Sequence, residues 1–328
     1  DGSYIDCFSS TTSSFGKGFL VLPKKQVKAN SLKKRTVIDL SSGLLLFELS
    51  KRLQIKFEEL TVSKSLIGLI EEQIGKTESK RESKMTLYIY SDRVIPHELD
   101  DAVYDNRVKY LTELRSWFIE NTVQETPVDK LDLKKLYREK IVSGTMDYII
   151  ENTLIARKEG SFLVTDDFTY TKYNMIESFV TTEYYLMNKF PEMKKKILAE
   201  MLTLRYLGIT LDSDDVYDSF INQNKVGLEH IYTYAVRNLT NVNNLDFSTI
   251  QTTLEFLKKI ALNPIVTKEK YEREATNALS MLVINSPNPS FNYEISQQIS
   301  KRFELLGEYL NITLNSLLNA LKIAKMSK

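Results

Sequence analysis

Cysteine is almost missing from this chain. Cys7 stands alone in 328 residues, which excludes an internal disulfide framework and fits a reducing, cytoplasmic compartment. Histidine is nearly as scarce, and His97, His230 and Cys7 together are too few for a structural zinc site. Neither sign of charge is in excess: Lys plus Arg total 44, Asp plus Glu 43, and the net charge is +1. A global basic field that would bind nucleic acid through charge alone is therefore excluded. Long hydrophobic runs are lacking too. "GLLLFEL" (43–49) falls far short of the roughly 18 apolar residues that a membrane span needs, so no membrane partner is expected. No secretory signal opens the chain and no Met begins it, so a trimmed chain or a piece of a longer protein is expected. There is no G-x-x-x-x-G-K-[ST], which argues against a P-loop NTPase. There is no G-x-S-x-G with a plausible His partner, which argues against a serine hydrolase.

What is present has the balance of an ordinary globular protein, 42% hydrophobic and 27% charged, long enough for two cores. Residues 1–34 read as a Ser/Thr/Gly-rich loop, a short edge strand "FLVLP" (19–23) and a basic connector. From Lys24 to Arg35 the chain carries six cations and no acid. That run is either a solvated connector or a phosphate-contacting arm, with Lys33, Lys34 and Arg35 as the nucleic-acid-binding candidates.

Strands and helices then alternate. "RTVIDL" (35–40) is a β-branched strand, and "SSGLLLFELSKRL" (41–53) has helical spacing behind Ser caps. "IKFEELTVS" (55–63) reads as a second strand and "LIGLIEEQIGK" (66–76) as a helix ending near Gly75. A polar break (76–84), a strand candidate (85–91) and an amphipathic helix (107–122) follow. "GTMDYIIENTLIARKEG" (144–160) is a helix with its stop at Gly160, leading into the strand "SFLVTDD". Such alternation implies a parallel sheet covered on both faces. The expected α/β domain spans 35–187, with an insertion at about 76–140, and a mostly α-helical domain occupies 188–328.

Parallel sheets of this kind bind ligands outside the carboxyl ends of their strands. Two strands here end in acid at that edge, one at Asp39 and one at Asp166 and Asp167. If the strands are neighbours, three carboxylates gather, and a hard divalent cation would compensate their repulsion, with Mg²⁺ or Mn²⁺ the natural choice. Asp147 and Glu151, four apart on one helix face, could add an acid, as could Glu71 or Glu72. Such a pocket suits metal-assisted phosphodiester hydrolysis. Each acid also has a purely structural reading. Asp39 before "LSS" could be a helix N-cap, and Asp166 or Asp167 could cap a turn. A haloacid-dehalogenase phosphatase would need D-x-D where Asp39-Leu40-Ser41 stands. A receiver domain would place its paired acids early in the chain.

These residues resemble the PIN domain, a family of metal-dependent ribonucleases. "VIDLSSGLLLF" is similar to the family's opening strand, which ends in Asp with a Ser, Thr or Asn shortly after. "MDYIIENTLIARKEGSFLVTDD" is similar to its closing helix and T-x-D strand, with Ala156, Gly160, Thr165 and Asp167 at the family's spacings. The resemblance covers about 36–75 and 140–187. It implies a three-layer PIN-like fold, Asp39 and Asp167 as metal ligands, Asp166 as an auxiliary acid, and single-stranded RNA as substrate. The family's helix Asp would fall at Ile149, between Asp147 and Glu151, and its second-helix Glu at Leu69, two before Glu71. The third ligand thus stays open between Asp147 and Glu151. A fold that has lost a ligand and serves as a protein- or RNA-binding scaffold is the competing reading. The layout is also similar to bacterial PIN-like modules carried at the end of large helical-repeat proteins. A homodimer or docking to other domains of a longer chain is then expected.

Overall fold

The computed structural model describes residues 35–83, 85–90, 93–98, 100–127, 147–167, 170, 179–206, 209–225, 229–240, 247–284 and 289–326. The described residues fall into two compact units, one reaching Lys194 and one starting at Lys195. Among them no helix is long and apolar enough to cross a membrane.

In the first unit five described strands form a parallel sheet: β1 (Arg35–Ile38), β2 (Leu60–Ser63), β5 (Thr122–Glu125), β6 (Ser161–Val164) and β7 (Phe179–Val180), in the order β5-β2-β1-β6-β7. Between β2 and β5 lies an antiparallel hairpin of β3 (Met85–Tyr90) and β4 (Arg93–Glu98), separate from the main sheet. β1 is central because "RTVI" suits a strand buried on both faces, and Val37 and Ile38 are wholly inaccessible. It pairs β2 on one side (Thr36 with Leu60) and β6 on the other (Ile38 with Val164). From β1 the chain first winds outward through β2 to β5, then returns to the other side of β1 as β6 and β7. The winding therefore reverses between β1 and β6.

Helices cover the sheet: α1 (Leu40–Leu53), α2 (Lys64–Ser83), α3 (Asp101–Asn121), α4 (Asp147–Ala156) and α5 (Thr182–Lys189). α1 buries Leu44, Leu45, Leu46 and Leu49. Each such side chain contributes about 1.5–3 kcal/mol when fully buried. Gly43 lets α1 approach α3, since a Cβ there would lie 2.2 Å from the ring of Phe118. Phe47, Phe57, Trp117 and Phe118 join in an edge-to-face and tilted aromatic cluster on that side.

Several sequence expectations are corrected. α2 does not stop near Gly75 but runs on to Ser83, because "KTESKRES" is made largely of helix formers and Lys76 pairs Glu72 one turn back at 2.6 Å. The second strand is only Leu60–Ser63, and Ile55 and Phe57 are buried outside any strand. The stretch expected as an insertion supplies β5, an edge strand of the sheet itself. The edge strand expected at 19–23 lies outside the described residues.

In the second unit the described elements are helices: α6 (Lys194–Thr203), α7 (Ser213–Asn222), α8 (Glu229–Thr240), α9 (Phe247–Ala261), α10 (Lys268–Ile284), α11 (Pro289–Phe303) and α12 (Glu308–Met326). This is the helical region expected after the sheet. Phe220, Tyr232 and Phe256 pack as a buried aromatic trio, and Tyr232 donates to the buried Glu274 at 3.0 Å. Tyr206 and Tyr232 are core residues, as aromatics in helical bundles usually are, and Tyr271 bonds Thr313 across α10 and α12 at 2.6 Å.

Candidate active site

The reversal of winding places the ends of β1 and β6 side by side, and the chain leaves both in polar residues. Asp39 follows β1 directly, is only 1% exposed, and acts as the N-cap of α1. Its Oδ1 accepts from the Ser42 amide at 2.8 Å and the Ser42 hydroxyl at 2.7 Å. The Asp39 amide donates in return to Ser42 Oγ at 3.1 Å, completing a capping box. The Ser41 hydroxyl reaches both carboxylate oxygens, at 2.9 and 3.0 Å. Thr165, the first residue after β6, donates its hydroxyl to Oδ2. The structural and the functional readings of Asp39 are thus not exclusive: one carboxylate caps a helix and faces the sheet edge.

Asp167 stands two residues past Thr165, and its amide donates to Thr165 Oγ1 at 2.9 Å. Its charge acts on Asp39. Burial, then repulsion from Asp167, push the Asp39 carboxyl up to about 7 against the lowering effect of its bonds from Thr165 and Ser42. Tyr148 and Tyr170 border the same place. Burial, together with the Asp39 and Asp167 charges, raises both phenols well above their ordinary value. Tyr170 is fully buried and Tyr148 partly so.

Among the described side chains, the other candidate acids do not join this pair. Asp166 faces β7 and α5, where one oxygen accepts the Thr182 amide at 3.0 Å and the other the Thr182 hydroxyl. Glu151 is buried, and its Oε2 accepts the Ser65 amide at 3.2 Å in the first turn of α2. Glu71 lies half-exposed on α2 in an ion pair with Arg115 of α3 at 2.6 Å. Asp147 opens α4, but its side chain lies outside the described residues. Among the described residues no group of three or more His, Cys, Asp or Glu could hold a metal ion.

The basic candidates divide likewise. Lys33 and Lys34 lie outside the described residues. Arg35 is not a free phosphate contact: its guanidinium is ion-paired with Glu125 and its Nε donates to Thr61 at 3.0 Å. It begins β1, whereas Asp39 follows the strand's other end.

Two contributors escaped the sequence reading. Ser42 showed only as part of a Ser pair. Asn152, wholly buried on α4, accepts from the Ser63 amide at 3.0 Å and donates to the Ile38 carbonyl at 3.3 Å. The signal that could have found it is "ENT" (151–153), three polar residues in succession within an otherwise apolar helix.

What remains is a two-carboxylate edge lined by hydroxyls and phenols. The donors are all oxygen, which suits a hard cation. Mg²⁺ is commonly held by one or two carboxylates with water and substrate phosphate rather than by an all-protein cage. Asp39 and Asp167 fit that mode, and a cation there would offset the burial and the Asp167 charge that raise Asp39.

Residues 37–175 match the model of the family described as "PIN domain associated with the TPR-GreAB-C-PIN system". No curated protein and no solved structure matches the chain.

Proposed function

We propose, from the premise that residues 37–175 are a PIN domain, that the chain is a Mg²⁺- or Mn²⁺-dependent endoribonuclease acting on single-stranded RNA at the Asp39–Asp167 edge. The observation that supports it best is the pair itself. Two carboxylates sit where the winding of a parallel sheet reverses, close enough for Asp167 to help drive Asp39 up to about 7. Asp39 and Asp167 would hold the cation, with Asp147 as the acid to complete the set. When bound, the cation supplies Lewis-acid activation of water and neutralises charge on the phosphate oxygens.

The chain's own residues prepare the place. Ser42 and Thr165 fix the Asp39 carboxylate from two elements. Ser41 sits between Asp39 and the Asp166 amide, the latter at 3.4 Å. Tyr170, fully buried, borders the pair. Lys33 and Lys34 would track the phosphate backbone through charge alone. The family's description, with its TPR and GreAB-C partners, favours docking to other domains.

A second reading has an observation of its own. Asp166, Glu151 and Glu71 are all committed elsewhere, which favours a PIN-like scaffold that binds RNA or protein without cutting it. Manganese-dependent cleavage of single-stranded RNA by the purified chain, with Asp39→Asn beside it, separates the two. Cleavage lost in the variant supports the nuclease. Equal inertness of both proteins leaves the scaffold.

A further inference from the structure

α4 carries three consecutive buried polar side chains, Glu151, Asn152 and Thr153. Thr153 bonds back within its own helix, to the Ile149 carbonyl at 2.8 Å. Glu151 holds the start of α2. Asn152 does something different. A buried carboxamide is costly unless its groups are satisfied, and here its oxygen takes the Ser63 amide at 3.0 Å. Its Nδ2 donates to the Ile38 carbonyl at 3.3 Å and to the Tyr170 hydroxyl at 3.5 Å. The carboxamide therefore ties the ends of β1 and β2 to the phenol that borders the acids.

The Ile38 carbonyl belongs to the peptide unit that leads into Asp39. The other edge of that same unit, the Asp39 amide, donates to Ser42 Oγ at 3.1 Å and to the Val164 carbonyl at 3.4 Å. The peptide is thus held from both edges, by α4 on one and by α1 and β6 on the other. A planar unit held on both edges resists rotation, and with the Ser42 and Thr165 bonds to the carboxylate it keeps the Asp39 side chain in one direction. We infer that Asn152 is a positioning residue: its carboxamide sets the orientation of the Asp39 carboxylate through the Ile38–Asp39 peptide. The kinetic part of this inference rests on the nuclease reading above, and the orientational part does not.

The test compares Asn152→Leu, branched alike at Cγ but without donor or acceptor, with Thr153→Val, an equally buried neighbour whose bond stays inside α4. The first readout needs no metal and no RNA: the carboxyl ¹³C resonance of Asp39, assigned by its disappearance in Asp39→Asn. It is expected to move in Asn152→Leu and to stay in place in Thr153→Val. The second readout is Mn²⁺-dependent RNA cleavage, where Asn152→Leu should lower kcat about tenfold to a hundredfold with KM within about twofold. Thr153→Val should change neither by more than about twofold. Should Asn152→Leu not fold, Asn152→Asp keeps the acceptor for Ser63, loses both donors and carries the same expectations. An Asp39 resonance that moves no more in the Asn152 variant than in Thr153→Val overturns the inference. So does a kcat that falls equally in both. If the wild-type chain is inert towards RNA, the nuclease reading fails and the carboxyl resonance alone decides the role of Asn152.

Discussion

The two ends of β1 bury charge in opposite ways. At its start, burial pushes the Glu125 carboxyl up, but hydrogen bonds from Lys158 and Arg35 outweigh that and hold it below the ordinary carboxylate range. At its far end, burial pushes Asp39 up, the neighbouring Asp167 adds to the push, and hydroxyl and amide donors recover only part of it. The groups are chemically alike, and the depth of burial separates them first, the sign of the nearest charge second. One end is a finished structural ion-pair network. The other is a buried carboxyl beside a second acid, an arrangement that suits a cation or a reacting group.

The contrast can be broken most forcefully at Asp39. Between its ordinary value of 3.8 and its folded value of about 7, folding takes up a proton at this carboxyl. Its contribution to stability is therefore fully present below about 3.8 and is lost as pH rises through about 7. For a group this buried the loss approaches about 4 kcal/mol. Urea denaturation of the metal-free chain at pH 5 and pH 8 should show that decline. Asp39→Asn keeps a good N-cap and should remove the decline, leaving a variant more stable than wild type at pH 8 yet at least about a hundredfold slower on RNA. Added Mn²⁺ should restore wild-type stability at pH 8, do less at pH 5, and leave the variant unmoved.

Gly43→Ala tests packing instead of charge. Its new methyl would press on Phe118, so about 2 kcal/mol of destabilisation is expected, the same at both pH values. A pH-dependent effect there would mean that packing and the acidic edge are coupled. Glu125→Gln sharpens the comparison from the other end. Because the folded Glu125 lies below its ordinary 4.5, its contribution is present above that value and is lost as pH falls through the folded one. The variant should cost about 1 kcal/mol at pH 7, with Arg35 and Lys158 partly in solvent, and nothing in strong acid. The neutral decline due to Asp39 should persist in it unchanged. Finally, Asp167→Asn should move that decline to lower pH by removing the repulsion, whereas Asp166→Asn should leave its midpoint where it is.

The sheet and the acidic edge were legible because they rest on local pattern. "TVID" and "FLVTDD" each carry a buried strand and its polar end within a few residues, and the structure meets the condition that they be neighbours. Less could be read where direction depends on a distant partner. Asp166 turns away because Thr182 waits beside β7, a strand of two residues with no periodicity to detect. Glu151 looked like an acid for the site and Asn152 drew no reading, but α4 lies against β1, β2 and β6, so Glu151 turns to the Ser65 amide and Asn152 to the Ser63 amide. β5 was missed because an edge strand of four half-exposed residues has neither alternation nor an apolar run. Arg35 looked like the end of a basic arm because its partner Glu125 lies 90 residues away.

The capping role of Asp39 bears on how the proposed site would change over time. A lineage that gave up the chemistry would still need an oxygen-bearing side chain at this position to start α1, since replacing an N-cap by Ala costs about 1 kcal/mol. Selection for folding alone can therefore preserve the residue long after selection for cutting has lapsed. Its persistence marks an intact helix, and only its joint persistence with Asp167 speaks for a working site.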